Sequence, residues 1–448
     1  MIARRSLLTA PALLTAQSPS KRPNILFFFP DQWRFDWMPD TPGLDLRLPN
    51  LRALTQRGVK FTHAAVSSPL CAPSRACLAS GQNYERCGVA DNGFDYPLPQ
   101  RTYYQSLREH GYAVLGVGKL DLHKKTMDWG LDGSRLTKEW GFSAAIDNEG
   151  KHDAIRSGRL TPKGPYMKYL HDAGLAHAHV EDFEKRTGPP SYTNLAPTPL
   201  PDSAYCDNWI AENGFKLLRA VPQRQPWHLV LNFTGPHDPV DVTKQMLARH
   251  PGRQFPQPRS TQQYDAATHN GIRERYAAMC ENIDRWLGEY TEEIRKRGEL
   301  DNTLIVFSSD HGEMLGDLGL WGKSKPFDPS VRVPLVAAGP QIAQKRVSSA
   351  LIQVHDLAAT FLDISGAKPL PLTDAQSIRS LLEGKKKSHR PKLSSGLKEW
   401  KIVSDGRWKL VEGWQGQKEQ LFDTTANPAE DKNLAVQHPE QIARLRAL

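Results

Sequence analysis

Five short apolar runs constrain the fold of this chain more than any other feature. They are NILFFF at residues 24–29, YAVLGVG at 112–118, WHLVLNF at 227–233, TLIVFSS at 303–309 and VPLVAAG at 333–339. Runs of this length, rich in Val, Ile, Leu and Phe and lacking polar alternation, read as strands buried on both faces, as inside a parallel sheet. Helical patterns lie between them. LPNLRALTQRG and YYQSLREHG each carry an apolar stripe and a closing Gly, and residues 276–298 form a long amphipathic pattern with Lys and Arg near its C-terminal end. Strands alternating with helices build βαβ units. The expected fold is therefore α/β, a large mostly parallel sheet sandwiched by helices. In open α/β sheets, ligands bind beyond the carboxyl ends of the strands. Asp31, Lys119, His237 and the adjacent Asp310 and His311 fall there, after four different runs. One such residue would be an ordinary cap or turn residue. Four strand ends carrying such residues to one rim mark a candidate site.

The rest of the chain is patterned differently. Residues 124–205, dominated by Gly, Pro, His and charge, read as long surface loops over the sheet edge, where substrate selection commonly resides. Beyond about Gly384, KEWKIVSDGRWKLVEG predicts a hairpin around Ser404, Asp405 and Gly406, EQLFDT a short strand and HPEQIARLRAL a closing helix. The expected organisation is a signal peptide over residues 1–18, a catalytic domain over 19–384 and a small antiparallel α+β subdomain over 385–448. In the first segment, Arg4 and Arg5 precede an apolar run too short to cross a bilayer, followed by small residues, which is the pattern of a secretory signal. The order Arg-Arg-Ser-Leu-Leu matches twin-arginine export, so a periplasmic or extracellular location is expected. Hydrophobic residues make up 39% and the mean hydropathy is −0.54, so no transmembrane segment is expected. The formal charge of +9 suits anionic partners, but the basic residues are scattered and no nucleic-acid motif accompanies them.

Five cysteines, Cys71, Cys77, Cys87, Cys206 and Cys280, match no zinc spacing. An odd number in an exported chain leaves at least one outside any intramolecular disulfide, and Cys71 is the candidate. It lies in SSPLCAPSRACLASG, two residues before Pro73 and four before Arg75. A cysteine near a helix N-terminus with an Arg close by is the setting of a group that meets an anion. The residues alone leave two readings of the thiol: a nucleophile in its own right, or a buried cysteine at a helix start. Asp31, Asp310 and His311, with the amide oxygen of Gln32, form an oxygen-rich set that suits Ca²⁺ or Mg²⁺ better than zinc.

CAPSR resembles the C-x-P-S-R signature of the type I sulfatases, in the alkaline-phosphatase superfamily. The resemblance runs in order through nearly the whole chain after the signal. RPNILFFFPDQWR is similar to that family's opening strand and metal loop, GYAVLGVGKLDLH to its G-K-W-H-x-G segment and FTGPHDP to its F-x-x-P-H segment. SSDHGEMLGDLGLWGKSKPFDPSVRVPLVAAGP is the closest match, and the residues after Trp400 resemble the family's C-terminal subdomain. The resemblance implies that a formylglycine-generating enzyme oxidises Cys71 to formylglycine, whose hydrate attacks sulfur and then expels sulfate. It implies one divalent cation, Ca²⁺ ahead of Mg²⁺ or Mn²⁺, held by Asp31, Gln32, Asp310, His311 and residue 71. Arg75, Lys119 and Lys323 become cations that handle the sulfate. His237 becomes a sulfate-binding residue and the acid for the leaving alcohol. Asn92 and His123 become substrate contacts. The sequence departs from the family in two places: Asp121 stands at the usual His position, with His123 two residues later, and LASGQ replaces LLTGR after the signature. The implied activity is hydrolysis of a sulfate monoester, with a sulfated carbohydrate as the expected substrate. Three alternatives stay open. Gln32 and Asn92 are shared with the phosphonate monoester hydrolase branch, so that activity or a phosphodiesterase is the first. A non-catalytic anion-binding homologue with unconverted Cys71 is the second, and a hydrolase using the thiol itself the third.

Overall fold

The computed structural model describes residues 22–186, 192–249, 251–260 and 263–448. The expected signal peptide over residues 1–18 lies outside the described residues. The strands are β1 (Asn24–Phe28), β2 (Gly58–Ala65), β3 (Ala113–Gly118), β4 (Ala144–Asp147), β5 (Trp227–Asn232), β6 (Thr303–Phe307), β7 (Leu335–Ala338), β8 (Arg346–Gln353), β9 (Leu393–Leu397), β10 (Trp400–Ser404), β11 (Trp408–Glu412) and β12 (Glu419–Asp423). Among the described residues, eight of them form one sheet in the order β4-β3-β5-β1-β6-β7-β2-β8. All neighbours pair in parallel except β7, which runs antiparallel to both β6 and β2.

All five apolar runs are strands, and each is buried along its length. The run at 333–339, expected in parallel pairing, is instead the antiparallel β7. The strands that carry no such run are β4, β8 and the neighbouring β2. β4 and β8 are the two edges, and their partly exposed positions admit polar residues that break the apolar signal. Side chains alternate between the two faces. Leu26 and Phe28 join one core with the helices Cys206–Ala220 and Ala266–Lys296, while Ile25 and Phe27 join the other with Cys71–Ser80, Tyr103–Glu109 and Asp356–Ser365. Each such side chain contributes roughly 1.5–3 kcal/mol on burial, which exceeds the ordering cost of its own backbone, about 1–2 kcal/mol.

Two expectations need correction. The long amphipathic helix starts at Ala266 rather than near 276, because the Asp265 carboxylate accepts from Thr268 N at 2.7 Å and caps a polar first section. Residues 124–205 are not merely surface loops. They contain the helices Lys151–Gly158, Pro165–Asp172 and Ala176–Arg186, and they bury Trp129, Trp140 and Met167. All five cysteines are buried and unpaired. Among the described residues no helix is long and apolar enough to cross a membrane.

The second sheet is antiparallel, in the order β12-β11-β10-β9, and the helix Pro439–Ala447 follows it. The expected hairpin forms between β10 and β11, where Asp405 Oδ1 accepts from Arg407 N at 2.9 Å and Trp408 N at 2.7 Å. This sheet is fastened to the main body by a buried charge cluster. Lys409 Nζ on β11 lies 2.8 Å from Asp328 Oδ1 and pairs with Glu430, while Arg332 holds the other Asp328 oxygen at 2.8 Å. Removing one partner of a buried pair costs roughly 3–5 kcal/mol. Lys409→Ala is therefore expected to destabilise the protein by that amount in urea unfolding followed by tryptophan fluorescence. Lys401→Ala, at a site whose side chain is 65% exposed, should shift stability by less than about 0.5 kcal/mol.

Candidate active site

β3, β5, β1 and β6 are consecutive parallel neighbours, so their carboxyl ends share one rim. Asp31 follows β1, its N–H donating to Phe233 O at 3.1 Å just past β5. Asp310 and His311 follow β6. Ser309 Oγ accepts from Trp33 N at 2.9 Å, and Asp310 Oδ1 accepts from Gln32 N at 3.0 Å, which locks the two loops together. Cys71 joins them as the first residue of the helix Cys71–Ser80, every residue of which is buried. The Asn92 side-chain oxygen accepts from Ala72 N at 3.0 Å in that first turn. Cys71 Sγ lies 3.9 and 4.0 Å from the Asp31 carboxylate oxygens and 3.3 Å from His311 Nε2. The donor atoms of Asp31, Cys71, Asp310 and His311 all lie within 4.8 Å of one another.

Two carboxylates buried this deeply need positive charge nearby. Arg75 Nη2 lies 2.9 Å from Asp310 Oδ2, and Lys119 Nζ pairs with Asp31 and sits 3.2 Å from Asp121. Burial pushes the Asp31 carboxyl up, but Lys119, then His237 and Lys323, overcome this and hold it well below the usual range. Burial also pushes the Cys71 thiol up, and Lys119, Lys323 and His311 outweigh burial and Asp31 together, so the thiol sits well below its ordinary value. Asp310 is shifted upward because burial exceeds the pull of Arg75. The donor chemistry fits a divalent cation: two carboxylates and an imidazole converge on one point, and an oxygen in place of the thiol at 71 would complete a set for a hard ion.

Above this cluster a cavity of about 280 Å³ opens to solvent. It is lined by Cys71, Asn92, Lys119, Lys323 and His237, all expected from sequence, and also by Lys124, Gly150, Lys151, His152, Asp153, Arg156 and Asp238. Lys323 Nζ donates to Gln32 Oε1 at 2.8 Å and contacts His237 Nε2, while His237 Nδ1 donates to Asp238 O at 2.5 Å. The Gln32 amide oxygen is thus engaged by Lys323, and its nitrogen donates to Asp238 Oδ1 at 3.2 Å and to Glu313. Two expected residues stand elsewhere than anticipated. Arg75 is not a clamp in the cavity. Its guanidinium is spent on Asp310, on Lys119 O at 2.7 Å and on Asn232 Oδ1 at 2.8 Å, which makes it a positioning residue behind the site. His123 is fully buried between Trp129 and Trp140, 3.2 Å from Asp147, and does not line the cavity. Asp121, at the departure from the family pattern, instead neutralises Lys119 and Lys124, the latter at 3.0 Å.

The cavity residues that sequence reasoning missed lie mostly in KHDAIR, at the start of the helix Lys151–Gly158. The available signal was the density of Lys, His and Arg in a segment without strand or long-helix periodicity. Lys151 Nζ donates to His237 O at 2.9 Å and Pro239 O at 3.1 Å and pairs with Asp241 at 2.5 Å, so this helix also secures the His237 loop.

The sulfatase family model matches residues 23–367, and a model described as N-sulphoglucosamine sulphohydrolase, C-terminal, matches residues 316–446. A choline-sulfatase of Rhizobium meliloti (strain 1021) is 30% identical over 454 residues, covering 92% of this chain and 82% of the relative. Arylsulfatase K of Mus musculus is 25% identical, covering 97% of this chain and 80% of the relative. Among solved structures, a phosphonate monoester hydrolase of Agrobacterium radiobacter has TM-score 0.78 at 22% identity, covering 95% of this chain and 96% of that one. A protein solved in complex with its substrate D-glucosamine-2-N,6-O-disulfate has TM-score 0.77 at 18% identity, with the same coverage of 95% and 96%. At these identities the solved structures speak for the fold.

The helix Lys151–Gly158 is anchored by a buried acid. Glu149 precedes it, its Oε2 accepting from Tyr166 N at 3.3 Å, and a side chain at Gly164 would collide with its carboxyl group. Burial pushes the Glu149 carboxyl up to about 7, against the pull of its backbone hydrogen bonds. A folded pKa above the unfolded value means that the acid's contribution is fully present at pH below about 4.5 and is lost as pH rises through about 7. Glu149→Gln should remove that slope, worth roughly 3 kcal/mol at most. Thermal midpoints measured from pH 5 to 8 check this: the difference between variant and wild type is expected to move in the variant's favour as pH rises.

Proposed function

The chain belongs to the sulfatase family and is a sulfuric ester hydrolase; on that premise we propose that it removes sulfate from a sulfated carbohydrate, with formylglycine made from Cys71 as nucleophile and one divalent cation, Ca²⁺ ahead of Mg²⁺ or Mn²⁺, at Asp31, Gln32, Asp310 and His311. The observation that carries the reading is the convergence of Cys71, Asp31, Asp310 and His311 beneath a cavity walled by Lys119, Lys323 and His237. The carbohydrate part is supported by the C-terminal match to N-sulphoglucosamine sulphohydrolases. When present, the cation and the formylglycine hydrate would together supply an activated hydroxyl group and offset negative charge.

The chain's own residues supply the rest. Arg75 holds the Asp310 carboxylate in place, so the donor set is preorganised before substrate arrives. Lys119 and Lys323 stand beside residue 71, where charge grows on the sulfuryl oxygens, and preorganised charge of this kind is usually the largest catalytic contribution. His237 has Nδ1 committed to Asp238 O, which directs Nε2 to the cavity, beside Lys323; from there it delivers the proton to the departing oxygen. Asn92, at the cavity wall, orients the bound ester. Cys71 is 1% exposed at the start of a buried helix, so the formylglycine-generating enzyme must meet this segment before folding is complete. Export directed by residues 1–18 then places the enzyme in the periplasm or outside the cell.

A second reading, hydrolysis of phosphonate monoesters or phosphodiesters by the same groups, is favoured by Gln32. It puts a neutral amide where many sulfatases have a second carboxylate, and the resemblance gives the phosphonate branch the same residue. Protein made in a host with the converting enzyme is expected to release sulfate from sulfated sugars and from an aryl sulfate faster than it cleaves an aryl phosphodiester, and to lose activity on chelation. The opposite preference would overturn the main reading. His237→Ala should lower the rate on a sugar sulfate by about 10²–10⁴-fold, and much less on an aryl sulfate, whose leaving group does not need the proton.

A further inference from the structure

We propose that Arg156 reads a second anionic group, a carboxylate or another sulfate, on the alcohol half of the substrate. The inference deepens the sulfatase reading and rests on it. The helix Lys151–Gly158 turns one face toward the cavity: Arg156 lies three residues after Asp153 and four after His152, and all three line it, while Ala154 and Ile155 are buried. Most cations in the cavity wall are already matched. Lys119 has Asp31 and Asp121; Lys124 has Asp121 and Asp153, the latter at 2.5 Å; Lys151 has Asp241. Lys323 sits against Gln32 and His237 beside residue 71, where the reacting sulfate belongs.

Arg156 differs. Its side chain is 70% exposed, and its nearest carboxylate among the described residues, Asp153 Oδ1, is 3.8 Å away, too far for a hydrogen bond. This long ion pair to Asp153 leaves the guanidinium's N–H donors unspent, and its planar fork can take a carboxylate or sulfate with two of them, the geometry for which Arg is suited.

The same wall argues against a cationic alcohol. Among the described residues, no Phe, Tyr or Trp lines the cavity, so a quaternary ammonium group finds no aromatic face. The two lining carboxylates are also taken. Asp153 is held by Lys124, and Asp238 lies 3.2 Å from His152 Nε2 and 3.1 Å from His237 Nδ1.

The test compares kcat/KM on four sulfate esters: a neutral monosulfated N-acetylhexosamine, the same sugar with a second sulfate, a monosulfated uronate, and choline sulfate. An aryl sulfate reports separately on the sulfatase reading. Wild type is expected to prefer at least one doubly anionic sugar over the neutral one by about tenfold or more, the size of a charge-assisted contact. Arg156→Ala should bring that ratio to within about twofold, chiefly through KM, and Arg156→Lys should keep part of it. Which sugar loses its advantage identifies the second anion. Equal rates of wild type on neutral and doubly anionic sugars, an unchanged ratio in Arg156→Ala, or choline sulfate as the best substrate would each overturn the inference while leaving aryl sulfate hydrolysis intact. Loss of aryl sulfate hydrolysis in the wild type would instead overturn the sulfatase reading, and this inference with it.

Discussion

The pairing of buried carboxylates with buried cations at the rim of the sheet is the constraint on which the rest of the structure depends. Asp31 and Asp310 sit at the ends of adjacent strands with no exposure to water. Neither would be tolerated there alone, because an uncompensated ion in the interior is costly by several kcal/mol. Lys119 comes from the end of β3 and Arg75 from the helix that begins at Cys71, so compensation can occur only when strand, neighbouring strand and helix are all in place. The charge pairing thus ties the formation of the site to the completion of the core. It also fixes Cys71 beside the two acids, since Arg75 lies one turn along the same helix.

Division of labour follows from rigidity. The groups that converge on residue 71 stand on strand ends and on a fully buried helix, where packing leaves them little freedom. Another part of the cavity wall is built instead by the helix Lys151–Gly158, from a segment inserted between β4 and β5. Such a segment can vary without disturbing the sheet, and its own attachment through Glu149 and Lys151 is local. The C-terminal sheet contributes no residue that lines the cavity among those described; it packs on the main body through Lys409 and its acids and through an apolar cluster that includes Phe327 and Trp400.

Much of this was legible in the sequence because burial on both faces leaves an unmistakable apolar run, as in NILFFF and TLIVFSS, and because polar residues directly after such runs must lie at the rim. Asp31, Lys119, His237, Asp310 and His311 were visible on that ground alone. Cys71 stood out by its setting beside Arg75, but its place at that rim, like the role of Lys323, needed the resemblance to a family, since nothing in local periodicity says that a helix start or a loop lysine returns there. Edge strands β4 and β8 were invisible, being only half buried, and the wall formed by Lys124, His152 and Arg156 was hidden because its residues are ordinary surface types until the fold gathers them. Arg75 and His123 show the converse. A charged or imidazole side chain near a site can be spent on internal partners, and sequence does not report which partner is nearer.

The central claim is that residue 71 functions as a converted side chain against a divalent cation. Mass spectrometry of the peptide spanning Cys71, on protein made with and without a formylglycine-generating enzyme, together with metal content of the same samples, tests it directly. The account predicts an aldehyde in place of the thiol, and one bound cation per chain, only in the sample that also hydrolyses sulfate esters. An active preparation whose residue 71 is wholly unmodified cysteine would contradict it.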